Sequence, residues 1–207
     1  MERKTRADRA TSSQHGILNA ALELFAQHGY HGTSLQAIAD LAGVNKALLF
    51  YYFKNKANLF DQAFQAPQRE FLDKLAKKAP RIPDPKKRLE FLINEYIKIF
   101  ERKRELLQIA LSEAASTNVS SRDRMRKFID YGLRPIEEAI SYGIKKGIFV
   151  EIDPRMGAVF LMGMLRIFGI YEKITEHIFE AEEVARYARK IFLEGIIKHQ
   201  EKEDNQK

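Results

Sequence analysis

The stretch Thr33-Ser-Leu-Gln-Ala-Ile-Ala-Asp-Leu-Ala-Gly43-Val-Asn-Lys-Ala-Leu-Leu-Phe-Tyr-Tyr-Phe53-Lys-Asn-Lys56 decides the reading of the N-terminal part of the chain. Leu35, Ile38, Ala39 and Leu41 recur at helical spacing, and Thr33 or Ser34 offers a side-chain oxygen to cap the helix they define. Ala42-Gly43-Val44 interrupts the pattern, and Gly43 can take positive φ because it has no Cβ to clash. A second short helix then runs from about Asn45 to Phe53. Counting Leu35 as position one, Ala39 is fifth, Gly43 ninth, Val44 tenth and Leu49 fifteenth. A small fifth residue lets the second helix cross close over the first, while Val44 and Leu49 close the little core between them. Two short helices joined by a glycine-bearing turn form a helix-turn-helix.

If Leu49 and Phe53 face inward one helical turn apart, Asn45, Lys46, Ala47 and Leu48 occupy an exposed leading turn. That turn of such a helix can enter a DNA major groove and meet base edges. Lys46 can donate to guanine O6 or N7, Ala47 or Leu48 can touch a thymine methyl, and Asn45 can cap the helix, read adenine, or both. Gln36 can reach an edge from the flank. Thr33 or Ser34, Tyr51, Lys54 and Lys56 suit phosphates, which fix register without reporting sequence. Asn55-Lys56 opens a fourth helix, whose N-terminal amides attract an anion. Each assignment has a plainer rival: Tyr51 and Tyr52 can pack at a helix junction, and Lys54 and Lys56 can be solvated charges. The segment Arg3-Lys4-Thr5-Arg6, with Arg9, can be a minor-groove arm or a disordered tail.

Outward from this stretch the helical period continues, and no alternating run makes a convincing strand. Helix one spans about Ser13 to His28 with Ile17, Leu18, Ala21, Leu22 and Phe25 on one face, and Gly29 is placed to end it. Helix four runs from Lys56 to about Lys78, with Pro67 expected to kink or break it near Phe64. Helices five to nine follow at about Asp84–Glu101, Arg104–Ala115, Ser121–Lys146 (bent at Pro135), Pro154–Thr175 and Ala181–His199, before a fraying charged tail. In helix eight, Gly157, Ala158, Gly163 and Gly169 punctuate large apolar residues, an arrangement that lets another backbone approach. Its apolar window from Met156 to Ile170 is interrupted by Arg166 and falls short of the roughly 20 residues of a membrane span.

Composition narrows the function classes. The chain has 207 residues, 45% hydrophobic and 30% charged, the balance of a soluble globular protein. It contains no cysteine, which removes disulfides, thiolate metal sites and cysteine nucleophiles, and suits a cytoplasmic location. A net charge of +7 invites a polyanionic partner. The five histidines form no His-x-x-x-His pair, and neither a phosphate-binding glycine loop nor a nucleophile elbow is present. No enzymatic activity, metal or cofactor is therefore expected, and no targeting segment is seen.

The pattern Ile17…Ala20-Ala21…Leu24-Phe25…Gly29-Tyr30…Thr33-Ser34…Ile38-Ala39…Ala42-Gly43-Val44…Leu49…Tyr52-Phe53-Lys54-Asn55-Lys56…Leu59 resembles the tetracycline-repressor (TetR) family of bacterial regulators over about residues 13 to 60. Three positions depart from the usual pattern: Asn45 where serine is frequent, Ala47 where glycine or proline is frequent, and Phe50 where a tyrosine hydroxyl is usual. The resemblance implies an all-α protein of about nine helices. Residues 1–55 would form a three-helix DNA-binding domain, with 1–12 a flexible arm, and residues 56–207 a ligand-binding and dimerisation domain. It further implies a homodimer joined through helices eight and nine, and an effector cavity among helices four to eight. By residue type the cavity candidates are Phe64, Phe91, Tyr96, Phe100, Met125, Phe128, Tyr131, Phe160, Met164, Phe168 and Tyr171, all equally suited to an ordinary core. Arg166, a fixed cation in an apolar helix, must find either an internal ion pair or an anionic effector.

The function so implied is a repressor that leaves a palindromic operator when a small hydrophobic effector binds, with helix four coupling the two domains. A nucleoid-type protein without sequence preference and a helical enzyme carrying a chance motif are the competing readings.

Overall fold

The computed structural model describes residues 6–102, 109–110, 113, 119–176 and 179–197. Among them the regular structure is helical: α1 (Arg6–Gly32), α2 (Leu35–Leu41), α3 (Lys46–Tyr52), α4 (Lys56–Phe60), α5 (Ala66–Lys78), α6 (Pro85–Arg102), α7 (Val119–Lys145), α8 (Pro154–Thr175), α9 (Ala181–Ala188) and α10 (Glu194–Ile196). An isolated antiparallel bridge pairs Phe149 with Ile197. The chain packs as two units, Met1–Leu72 with Lys103–Ile129, and Asp73–Arg102 with Asp130–Lys207, so the unit boundary falls inside α5 and α7.

In the first unit, Ile17, Ala21 and Phe25 of α1 lie fully buried against Ile38 and Ala39 of α2, Leu49 of α3, Phe53, and Leu59 and Phe60 of α4. A seven-residue helix such as α3 cannot stand alone in water, because nucleation costs more than its few hydrogen bonds return. Its stability is borrowed from this core through Leu49 and Phe53. Residues 6–12, expected as a flexible arm, instead belong to α1, while Arg3, Lys4 and Thr5 lie outside the described residues. Gly29 (φ 69°, ψ 172°) interrupts the helical geometry of α1 where an end was expected, and the helix resumes as far as Gly32.

Proline produces a milder result than a break at the start of α5. Pro67 has no N–H for the helix ladder, and the chain accommodates it with a π turn over Asp61–Gln65. Gln68 Nε2 donates to the Phe64 carbonyl at 2.8 Å, and Arg69 pairs with Asp61 at 2.9 Å, so the irregular turn is stitched from both sides.

In the second unit, α6 packs on α8 and α9 around Leu89, Leu92, Ile93, Leu161, Leu165, Val184 and Ala188. Gly143 is placed by close approach: a Cβ there would meet the Phe149 ring at about 2.0 Å. The expected helix nine is interrupted by a π turn over Arg189–Leu193, and its last described residue, Ile197, turns into the bridge with Phe149. Most of the expected helix six and the tail fall outside the described residues, although Ile109, Ala110 and Glu113 are helical and buried.

Candidate nucleic-acid interface

The turn between α2 and α3 is built from backbone hydrogen bonds that only one glycine permits. The Ala42, Gly43 and Val44 amides donate to the Ile38, Asp40 and Ala39 carbonyls at 2.9, 3.1 and 3.0 Å, and Gly43 takes φ +65°. The helices α2, α3 and α4 each have a side-chain cap. Ser34 Oγ accepts from the Ala37 amide at 3.0 Å, Asn45 Oδ1 from Leu48 at 2.8 Å, and Asn55 Oδ1 from Asn58 at 2.8 Å. Such caps are worth about 1 kcal/mol each. Of the alternatives for Asn45, capping is the one the geometry satisfies.

The leading turn of α3 is presented to solvent. Asn45, Lys46 and Ala47 are exposed and Leu48 is half-buried, with the fully buried Leu49 fixing the rotation of the helix. Tyr51 is 79% exposed and Phe50 46% exposed, and Tyr51 leans edge-on against Tyr52 with ring centroids 5.1 Å apart. Ser34, Gln36 and Lys54 are exposed on the same unit, with Gln36 Nε2 donating to Asp40 at 2.8 Å. Leu41, expected as an inward contact of α2, is instead 49% exposed.

Of the expected phosphate contacts, Thr33 is turned inward and Lys56 is partly covered. Thr33 is buried, and its hydroxyl donates to the Gly29 carbonyl at 2.8 Å and the Leu24 carbonyl at 3.0 Å, closing the carbonyl end of α1. Lys56 lies half-buried with its ammonium 4.7 Å above the Tyr30 ring and 3.4 Å from the His31 carbonyl. Burial pushes its pKa down, partly offset by the buried Glu113 carboxylate. His31 Nε2 and Ser121 Oγ share a hydrogen bond of 3.1 Å, so residues of α1, α4 and α7 meet in one polar cluster. Sequence reading missed this cluster, since its members are separated by up to ninety positions.

The effector candidates divide between the units. Phe64, Met125 and Phe128 sit in the core of the first unit, where the Phe64 ring packs at a tilt against Phe60 at 5.2 Å and Phe128 at 5.4 Å between centroids. Phe160 is 64% exposed on the outer face of α8. Three of these four thus belong to the core of the first unit, and Phe160 faces solvent. In that unit Tyr96 is buried with its hydroxyl donating to the Gly132 carbonyl, one residue past the Tyr131 carbonyl that Pro135 deprives of a helix donor. Tyr131 donates to Asp73, and Phe91, Phe100, Met164 and Phe168 are half-buried. Tyr171 is 48% exposed and stacks on Phe179. Arg166 does not form the expected internal ion pair among the described residues: its guanidinium lies 5.2 Å from the Phe100 ring centroid, and Nε is buried without a partner.

Comparison with known proteins agrees with this arrangement. Residues 17–63 match the model of bacterial regulatory proteins of the tetR family, and residues 83–168 match a tetracyclin repressor-like C-terminal domain. The HTH-type transcriptional regulator YhgD of Bacillus subtilis is 32% identical over 171 residues, covering 78% of this chain and 84% of YhgD. The chain belongs to the TetR family.

Two solved TetR-like structures extend the likeness through both units. One, from Clostridium perfringens and described as a fatty acid metabolism regulator, has a TM-score of 0.80 at 25% identity and covers 89% of this chain and all of its own (100%). The other is the transcriptional regulator FadR from Bacillus subtilis in complex with stearoyl-CoA, with a TM-score of 0.74 at 20% identity over 88% of this chain and 98% of its own. As a TetR-family transcriptional regulator, the chain carries its family signature on the elements that present the leading turn of α3. The second match spans α6 to Phe168, including Tyr96, Phe100 and Arg166. Among the described residues no helix is long and apolar enough to cross a membrane, and no group of His, Cys, Asp and Glu could hold a metal ion.

Proposed function

We propose that this TetR-family regulator is a cytoplasmic repressor that binds an inverted-repeat operator as a homodimer and releases it when a small apolar effector enters the second domain. The observation that carries the reading is the leading turn of α3: Asn45, Lys46 and Ala47 stand in solvent on a helix whose opposite side, Leu49, is fully buried. In this assignment Lys46 and Ala47 meet base edges, Leu48 and Gln36 flank them, and Ser34, Tyr51 and Lys54 hold phosphates. Thr33 and Lys56 act beneath the surface, as a helix stop and a support. Residues 1–55 act as the reading domain and 56–207 as the regulatory one.

A dimer follows from the outer face of α8. Met156, Val159, Phe160, Ile167 and Ile174 are between 47% and 77% exposed, and Tyr187 and Ile191 after it are 49% and 62% exposed. A contiguous apolar surface of this kind marks a protein contact, and Gly163 within it has open space around its Cα. A second copy laid on α8 and the α9–α10 segment would cover the stripe, and an inverted repeat read in successive major grooves calls for two α3 helices about 34–36 Å apart.

The effector class is drawn from the neighbours. The fatty acid metabolism regulator of C. perfringens and the stearoyl-CoA complex of B. subtilis FadR support a long-chain acyl compound. Such a ligand shifts the equilibrium only as far as its affinities for the bound and released forms differ. Because α5 and α7 each continue from one packing unit into the other, a rearrangement in the second can be passed along them.

The test is selection of bound duplexes from a random pool, followed by titration of the selected site with and without acyl compounds. The expected result is an inverted repeat bound roughly 10³-fold tighter than random DNA at the same salt. Equal affinity for both would replace this reading with a sequence-independent DNA-binding protein.

A further inference from the structure

Resting on the effector-responsive reading above, we propose that Arg166 is the anchor for the acidic head group, carboxylate or phosphate, of an amphiphilic effector bound in the second unit. Three observations within that unit meet at this residue. The Arg166 Nε is buried and has no hydrogen-bond partner. No carboxylate pairs with the guanidinium among the described residues; it is set instead near the face of Phe100, at 5.2 Å, with Tyr96 the titratable group acting on it electrostatically. The Phe100 ring is itself only half-buried.

Arg166 is half-buried as a residue, but its Nε is taken from water without a partner, and such a group is normally relieved by a carboxylate or a set of acceptors. Here desolvation is strong enough to pull even an arginine below its ordinary pKa. The nearby phenol offsets this only in part: Tyr96 raises the arginine pKa less than burial lowers it, burial pushes its own pKa upward, and its proton goes to the Gly132 carbonyl. The open valence is therefore a forked donor suited to a planar carboxylate or a phosphate oxygen pair. The half-buried Phe100 ring beside it offers apolar surface to a chain attached to that head group. An organic anion with an apolar chain satisfies both requirements at once.

The test is calorimetric titration of the full-length protein with hexadecanoate, hexadecanoyl-CoA and hexadecanol, using wild type, Arg166→Met and Arg166→Lys. Methionine keeps the unbranched stem and removes the charge. Wild type is expected to bind at least one anionic probe about ten-fold or more tighter than the alcohol. Arg166→Met should reduce that probe to the level of the alcohol, and Arg166→Lys should restore part of the preference. A preference for hexadecanoate identifies a carboxylate head, and a preference confined to the thioester identifies phosphate. The proposal is overturned if Arg166→Met binds the anions as wild type does, if the head group makes no difference, or if neither anionic probe binds. It is also overturned if sedimentation finds Arg166→Met monomeric, because the arginine would then serve a partner subunit's carboxylate. Release of operator DNA by the alcohol as readily as by the anions would remove the anchor and leave the effector-responsive reading standing. An operator complex unmoved by every apolar compound tested would undo that reading itself.

Discussion

The first turn of α3 presents Asn45, Lys46 and Ala47 to solvent, whereas the outer face of α8 presents Met156, Val159, Phe160, Ile167 and Ile174. The α3 surface is short, polar or small, and rigidly held: α3 has seven residues, a side-chain cap and a buried Leu49 on its inner side. The α8 surface runs along a helix of 22 residues and is apolar from end to end. A polyanion needs donors and small contacts held in register, because its own charge supplies the attraction. A second copy of the chain needs area, because removing apolar surface from water is the main drive for association. The same exposure thus carries two different chemistries, and on the proposal above these suit two different partners where accessibility alone does not tell them apart.

This contrast can be broken from beneath. Phe53 is fully buried and holds the end of α3 against the core. Phe53→Ala is expected to destabilise the protein by about 3–5 kcal/mol, read as a shift in the denaturant midpoint, with the DNA-binding unit melting first by hydrogen exchange. A variant as stable as wild type would mean that α3 is held by something other than this core.

The α8 face can be broken directly. Phe160→Glu with Ile167→Glu places two carboxylates in the proposed apolar contact, and sedimentation should show monomers. Operator affinity should then fall roughly a hundred-fold or more, because the second reading head no longer benefits from the binding of the first. The folded monomer should retain its melting behaviour in the first unit. Persistent dimers would assign the dimer contact to another surface.

The smallest effect sharpens the comparison at α3. Asn45→Ala removes the acceptor of the Leu48 amide and should cost about 1 kcal/mol of stability. If Asn45 also reads adenine, operator affinity should fall by more than the stability loss explains, and only for sites carrying that base.

The helix-turn-helix was legible because its information is local. Gly43, the capping residues and the inward Leu49 all act within a few positions, and spacing alone reports them. The surroundings of Thr33 and Lys56 were hidden because residue type does not report direction. A hydroxyl suited to a phosphate serves equally to close the carbonyl end of α1, and an ammonium suited to DNA can rest on Tyr30. The placing of Phe64, Met125 and Phe128 in the first unit's core lies beyond sequence for a related reason. Their positions depend on contacts between residues more than sixty places apart, such as Phe64 with Phe128, which helical periodicity does not contain. The π turns at Asp61–Gln65 and Arg189–Leu193 were also hidden, although Pro67 correctly marked where the first irregularity would fall.

The most direct measurement repeats the random-pool selection with Lys46→Ala beside wild type. The account predicts that wild type selects an inverted repeat and that Lys46→Ala loses base preference at one symmetric position in each half. The loss should amount to about 1–3 kcal/mol on the wild-type site, with binding to random DNA little changed. The same consensus from both proteins, weakened equally on every duplex, would contradict the claim that the leading turn of α3 reads the sequence.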